Sequence, residues 1–117
     1  MNFDLPSDIE DYRLKVRAFV EEQIIPLEAD RNNYDHHENI SAGALKTIQE
    51  KVKAAGLWAP QMPTDRGGLG FDQVGMAASY EEMNRSIFGP VCFNCSTPDD
   101  GNMFVLNKVA TDEQKDK

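Results

Sequence analysis

The sequence predicts an all-α domain. Apolar residues recur at intervals of three and four along several segments, which is the spacing that places them on one face of a helix. No segment shows the alternation of apolar and polar residues that is typical of a half-buried strand. Residues that favour helix caps and turns separate the periodic segments, so helices joined by loops are expected throughout.

The first helix is predicted over about residues 8–30. Ser7 and Glu10 have the spacing of a capping box, in which each side chain accepts a hydrogen bond from a backbone N–H at the helix start. Pro26 lacks a backbone N–H, so we expect a kink or an irregular final turn there. The apolar positions on the helical repeat are Ile9, Tyr12, Val16, Phe19, Val20 and Leu27.

Two further helices are predicted in the middle of the chain. Residues 31–40 are polar and lack periodicity, which predicts a loop, and a second helix fits residues 41–55 with Gly56 as its C′ residue. A third helix is predicted over about residues 72–85, with Asp72 as a favourable N-cap. Small residues on this helix should let a neighbouring helix approach closely, and they are Gly75, Ala77 and Ala78.

The C-terminal part is predicted to hold a short helical turn over residues 91–95 and a helix from residue 99 or 100 to residue 109. Thr111 and Gln114 form a second capping box at the start of a last helix, and the sequence ends at Lys117. Isolated helices need roughly 12–15 residues to be stable in water, and this last helix is much shorter. We therefore expect the chain to be a piece of a longer protein.

Length and charge limit the possible functions. The 117 residues suit one domain, residues 1–117, and the composition of 40% hydrophobic and 27% charged residues is that of a globular protein. A net charge of −8 disfavours nucleic acid, anionic membranes and the phosphates of small ligands. The acidic N-terminus lacks the features of a signal peptide, so a cytoplasmic location with reduced cysteines is expected.

Three motifs have alternative explanations. The run Gly67-Gly68-Leu69-Gly70 lacks the spacing of a dinucleotide loop, so we interpret it as the turn that leads into the third helix. Cys92 and Cys95 could form a redox pair, or they could form a zinc site together with two loop histidines. The simpler interpretation is that they are two small buried thiols spaced i, i+3.

The histidines in question are His36 and His37, for which the simpler interpretation is that they are solvated. Asp99 and Asp100 are the third motif. Either carboxylate could serve as a general acid or base in a cleft, and either could cap the helix that follows Pro98. We favour capping.

The order of these signals resembles the N-terminal helical domain of the acyl-CoA dehydrogenases. The resemblance rests on VRAFVEEQIIPLEAD in the first helix, the spacing from Gly56 through Pro63 to the glycine run, the pair Glu81-Glu82, and ATDEQK near the end. It covers essentially the whole chain. The stretch FNCSTPDDGNM is most similar to a subgroup found in animals within larger kinase-like fusions and in bacteria as stand-alone enzymes.

The resemblance implies that the parent protein is a homo-oligomeric flavoprotein that uses FAD to dehydrogenate acyl-CoA thioesters. It implies that the flavin and the catalytic base are held by a middle β domain and a C-terminal helical domain. This domain would then contribute no catalytic, cofactor-binding or metal-binding residue and would be inactive alone. It would close one side of the acyl cavity with Phe93, Asn94, Thr97, Pro98 and Gly101.

One departure from the family bears on the substrate. Asn94, Thr97, Asp99 and Asp100 occupy a stretch that often carries apolar residues in the family, which favours an acyl group with a hydroxyl or a branch. Two other hypotheses stay open: a free-standing helical domain that docks a protein partner through the small residues of the third helix, and a zinc-binding helical module. A reading frame that continues past Lys117 into a β domain would favour the dehydrogenase.

Overall fold

The computed structural model describes residues 4–96 and 99–115, apart from the side chains of residues 99 and 100. Across these residues the chain is helical, and its only β pairing is an isolated bridge between Tyr34 and Ile40, so the all-α prediction is confirmed. The elements in chain order are α1 (Ser7–Phe19), a π-helical turn (Val20–Ile24), 3₁₀ turns (Ile25–Ala29 and Arg31–Asn33), α2 (Ala42–Ala54), a 3₁₀ turn (Thr64–Arg66), α3 (Gln73–Met83), α4 (Gly89–Cys92), α5 (Asp99–Val109) and α6 (Asp112–Lys115).

The predicted long first helix loses its α-helical form earlier than expected. The N–H of Ile25 donates to the carbonyl of Val20, five residues back, so the turn before Pro26 is widened to a π turn. A proline ring clashes with the carbonyl four residues before it, here that of Glu22, and the wider turn relieves this clash. The irregularity therefore begins at Val20 rather than in the final turn.

The predicted capping box at the start of α1 is wrong. Pro6 occupies the N-cap position, and no side chain accepts a hydrogen bond there. The Glu10 carboxylate instead accepts from Arg13, with Nε to Oε2 at 3.0 Å. A guanidinium one turn away competes better for this carboxylate than a neutral backbone N–H does.

The predicted ends of α2 are confirmed. Ser41 caps its N-terminus through its side-chain oxygen. At the other end Gly56 is left-handed, with φ of +76°. The N–H of Gly56 donates to Lys53 O and that of Leu57 to Val52 O, each at 3.1 Å, which together form a Schellman motif.

Helices α1 and α3 pack closely, as the small residues of α3 predicted. Asp72 caps α3 by accepting from the N–H of Gly75 at 2.9 Å. A Cβ added to Gly75 would lie 3.0 Å from Cβ of Phe71 and 3.2 Å from Cδ1 of Ile9 on α1, so a larger residue would require these side chains to shift. Ala78 is also buried, whereas Ala77 faces solvent, so the prediction holds for two of the three small residues.

The segment after α3 turns tightly into the core. Helix α4 begins at Gly89, two residues before the predicted turn, and a Cβ at Gly89 would overlap the carbonyl of Met83.

No helix within the described ranges is long and apolar enough to span a membrane. The fully buried apolar residues of the core are Val16, Val20, Ile24, Val52, Met83, Cys92 and Phe93.

Candidate functional site

A cavity of about 340 Å3, here called the α5 cavity, lies between the loop after α2 and the two C-terminal helices. Its size falls at the lower end of the range for small-molecule pockets, roughly 300–1,000 Å3. Its lining residues are Trp58, Ala59, Met62, Arg66, Asn94, Met103, Leu106, Asn107, Gln114 and Lys115. This mixture suits a ligand with an apolar chain and a small number of polar groups.

The predicted site residues lie in different environments in the structure. Asn94 lines the α5 cavity, whereas Phe93 is fully buried in the core and Gly101 is exposed on α5. Thr97 and Pro98 lie outside the described residues. The assignment of these five residues to a pocket wall therefore stays a prediction, in which Asn94 has the most direct geometric support.

Asn94 has a second role that the sequence did not reveal. Its backbone is left-handed, with φ of +63°, a conformation that asparagine tolerates better than most residues with a side chain. Its Nδ2 donates to Sδ of Met103 on α5 at 3.1 Å. The residue thus forms the bend before α5 and also presents its amide at the cavity.

Hydrogen bonds join the loop after α2 to residues 93–95 on the opposite side of the cavity. The N–H of Ala59 donates to Phe93 O at 3.0 Å, and Nε2 of Gln61 donates to Asn94 O at 2.8 Å. The Cys95 thiol donates to Oε1 of Gln61 at 3.3 Å. Sequence analysis missed Gln61, whose only signal is a lone amide among the apolar residues and prolines of the loop.

Cys92 and Cys95 are both buried, and neither forms a disulfide. Burial in the apolar core raises the pKa of Cys92 to about 12, so its reactive thiolate is disfavoured. The rings of His36 and His37 contact each other at a tilt of 44° in the exposed loop before α2. Among the side chains that the structure describes, no three His, Cys, Asp or Glu residues gather as metal ligands, so nothing there supports the zinc hypothesis.

The glycine run forms the predicted turn into α3. Gly67 and Gly70 are left-handed, with φ of +84° and +68°. The N–H groups of Gly68 and Gly70 donate to carbonyls of the same loop, at 3.1 and 2.8 Å. A phosphate loop needs such N–H groups to point at the ligand, and these are already used within the protein.

A second polar cluster ties α1 to α3. The Glu82 carboxylate, with a side chain only 3% exposed, accepts two hydrogen bonds from Arg17, at 2.7 and 3.0 Å, and one from Arg13 at 2.7 Å. These bonds lower the pKa of Glu82, and the bond from Arg17 contributes most. Burial of the carboxylate acts in the opposite direction. A carboxylate held ionised in this way is a weak base, so the cluster is better suited to structure than to proton transfer.

A surface hollow of about 710 Å3 lies beside this cluster between the N-terminal residues, α1 and α3. Of its polar lining groups, Glu10 and Arg13 already bond to each other, and Arg13 also bonds to Glu82. Glu81, next along α3, is exposed at its edge. The hollow therefore offers less to a ligand than the smaller α5 cavity does.

Comparison with known proteins identifies relatives of the chain. Residues 6–117 match the family model described as "Acyl-CoA dehydrogenase, N-terminal domain". The chain is 33% identical over 104 residues to mouse "Acyl-CoA dehydrogenase family member 10" and 34% identical over 108 residues to chicken "Acyl-CoA dehydrogenase family member 11". These alignments cover 83% and 87% of the chain.

A solved structure from Mycobacterium abscessus, assigned to the acyl-CoA dehydrogenases, has the same fold over 97% of the chain, with a TM-score of 0.79 and 31% identity. The chain spans 31% of that structure, and 10% and 14% of the mouse and chicken proteins. Most of each relative therefore has no counterpart in this sequence.

Proposed function

The chain belongs to the acyl-CoA dehydrogenase family, and we propose that it is the N-terminal domain of an FAD-dependent enzyme that dehydrogenates acyl-CoA thioesters between Cα and Cβ. Within that enzyme its task is to form one wall of the acyl site. The observation that carries this proposal is the α5 cavity, which lies between the loop that joins Gly56 to the glycine run and the segment around Asn94, two of the parts on which the family resemblance rests.

The chain itself does not fit the flavin. Its charge of −8 opposes a pyrophosphate, and the N–H groups of Gly68 and Gly70 are bonded within their own loop. In the full enzyme, FAD would supply the acceptor for the β-hydride while a carboxylate from another domain takes the α-proton. The role left to the residues described here is to shape the acyl site and exclude water from it.

An exposed apolar face supports the expectation that other domains of the same protein cover this one. Phe104, Val105, Leu106 and Val109 on α5 are between 43% and 76% exposed. Several large apolar residues exposed on one helix are typical of an interface. In the 117-residue chain alone, this face should cause self-association, binding of a hydrophobic dye or marginal stability.

Flavin content and substrate-dependent flavin bleaching test the proposal. We expect the protein expressed from the complete reading frame to be yellow, and acyl-CoA to bleach its flavin under anaerobic conditions. The 117-residue chain should be helical by circular dichroism yet bind neither FAD nor acyl-CoA. A flavin-loaded preparation of the short chain, or a full-length protein that no acyl-CoA reduces, would contradict it.

The polar wall can be tested at Asn94. Asn94→Gly removes the amide and keeps the left-handed backbone, which Asn94→Leu would strain. We expect the ratio of kcat/KM values to shift towards plain aliphatic acyl-CoAs, away from hydroxylated or branched ones, with flavin content unchanged. Asn102→Ala, exposed on α5 and outside the cavity lining, is the control. Loss of flavin without a change in preference would contradict the pocket-wall role.

A free-standing helical interaction domain is the second candidate, and the same exposed residues of α5 favour it. The two candidates differ in what lies beyond Lys117. A reading frame that continues into a β domain supports the dehydrogenase, whereas a natural stop codon supports the interaction domain.

A further inference from the structure

Gln61 is buried between the two walls of the α5 cavity. It is only 6% exposed, and its head group bonds to two consecutive residues of the opposite wall. Nε2 donates to Asn94 O at 2.8 Å, and Oε1 accepts from the Cys95 thiol at 3.3 Å. Because a carbonyl can only accept, these partners fix the orientation of the amide.

The backbone on both sides of this contact is strained. Ala59 and Asn94 have positive φ angles, +47° and +63°, and both line the cavity. Residues with side chains keep such conformations only where the surrounding structure holds them, and they cluster at ligand sites. The bonds from Ala59 N–H to Phe93 O and from Gln61 to Asn94 O connect the strained residues to the opposite wall.

We propose that Gln61 is a positioning residue that sets the width of the α5 cavity and so determines which acyl groups it accepts. This rests on the proposed function. Glutamine is suited to the position because one head group supplies both a donor to Asn94 O and an acceptor for the Cys95 thiol, which lies nearer to this acceptor than to Phe93 O at 3.5 Å. Glutamate would lose the donor and place a charge in a buried site, and leucine would lose both groups.

Gln49 offers a matched control. Its Nε2 also donates to a backbone carbonyl of the same segment, that of Val91, at 3.0 Å, but this bond joins the segment to α2 rather than to the loop that lines the α5 cavity. Gln61→Leu and Gln49→Leu therefore remove the same kind of bond from neighbouring parts of one segment. A purely structural role should lower stability in both variants and leave the substrate ratio unchanged in both.

The first test measures kcat/KM for straight and branched acyl-CoAs with the full-length enzyme. Gln61→Leu should change the ratio of the two values by about tenfold, the size of effect that one misfitted methylene has in a pocket. Gln49→Leu should leave the ratio within about twofold, which is smaller than such a misfit gives. Equal losses for all substrates, with an unchanged ratio in Gln61→Leu, would overturn the proposal.

Cys95→Ala and Cys95→Ser keep the proposal testable if Gln61→Leu does not fold. Cys95→Ala removes one of the two bonds to Gln61, whereas Cys95→Ser keeps a donor at the same place. The alanine variant should shift the substrate ratio in the same direction as Gln61→Leu and by less, and the serine variant should stay near the wild type. The opposite order, or no difference between the two, would count against the proposal.

A further measurement separates failure of this proposal from failure of the proposed function. In full-length protein, alkylation of Cys95 by iodoacetamide should become about tenfold faster in Gln61→Leu, as expected when a buried thiol becomes accessible, while alkylation of Cys92 stays slow. If the wild type oxidises no acyl-CoA, the proposed function and the substrate preference both fail, and alkylation alone decides whether Gln61 holds the wall. Equal acceleration at both cysteines, or none, would overturn that holding role.

Discussion

The contact between α1 and α3 is stabilised by a charged side chain, whereas the wall of the α5 cavity is stabilised by a neutral one. At the first, the carboxylate of Glu82 is bound by Arg13 and Arg17, whose side chains are 20% and 45% exposed. At the second, the buried amide of Gln61 bonds a carbonyl and a thiol. A buried charge is tolerated where its partners reach water, whereas a neutral group avoids burying a charge beside a partly apolar cavity.

Loss of the charge at Glu82 should have the largest effect on stability. Glu82→Gln leaves Arg17 without this carboxylate and Arg13 with Glu10 alone, and we expect it to lower the free energy of unfolding by about 1.5–3 kcal/mol. Urea unfolding of the 117-residue chain measures this. Glu81→Gln, exposed on the same helix, should cost less than about 0.5 kcal/mol. Equal losses in the two variants would remove the contrast between the regions.

Low pH should weaken the contact between α1 and α3 and leave the stability of the α5 cavity wall unchanged. The pKa of Glu82 is lowered in the folded state, so its stabilisation is present above the ordinary glutamate pKa of 4.5 and is lost as pH falls through the lower folded value. The stability difference between wild type and Glu82→Gln should shrink as pH falls below about 4.5. That between wild type and Gln61→Leu should stay constant. A constant difference for Glu82→Gln would show that its charge is not the cause.

Tyr12 connects the two regions and should show an intermediate effect. Its buried hydroxyl on α1 donates to Leu57 O at 2.7 Å, at the start of the cavity loop. Tyr12→Phe should cost about 1–2 kcal/mol in thermal or urea unfolding, because Leu57 O loses a buried partner. Tyr34→Phe removes a similar but part-buried bond to Glu28 O at 2.9 Å and should cost less. The reverse order would mean that burial does not decide the cost.

Relief of strain in the cavity wall should give the smallest effect, and a gain. Ala59→Gly removes a side chain from a left-handed residue and should stabilise the chain by about 0.5–1 kcal/mol. Ala54→Gly, exposed in the last turn of α2, should destabilise it by a similar amount, since glycine lowers helix propensity. The two midpoints in urea should therefore move in opposite directions. Movement in the same direction would contradict the strain at Ala59.

Local signals predicted the helices and most of their ends. Ser41, Gly56 and Asp72 act at the positions that their residue types favour, and Thr111 and Gln114 bond reciprocally as a capping box, at 3.0 and 3.2 Å. Each of these contacts joins residues within one or two turns, so sequence spacing is enough to identify it. The capping of α5 by Asp99 or Asp100 lies outside the described side chains.

Contacts between distant residues could not be predicted in this way. Arg17 and Glu82 are 65 positions apart, and Gln61 and Asn94 are 33 apart. A competing partner also explains the failed capping box, since Arg13 binds the carboxylate of Glu10. Spacing identifies which groups can bond locally, and it carries no information on which distant groups packing brings together.

The sequence by itself determined the all-α class, the order of the helices and the family resemblance that the family model confirms over residues 6–117. The tertiary structure decided where α1 becomes a π turn, which of the two glutamates on α3 is buried, and that Phe93 packs into the core while Asn94 faces the α5 cavity. The physical reason is range: helix formation depends on neighbours within about four residues, whereas burial and strain depend on segments that meet only when the chain packs.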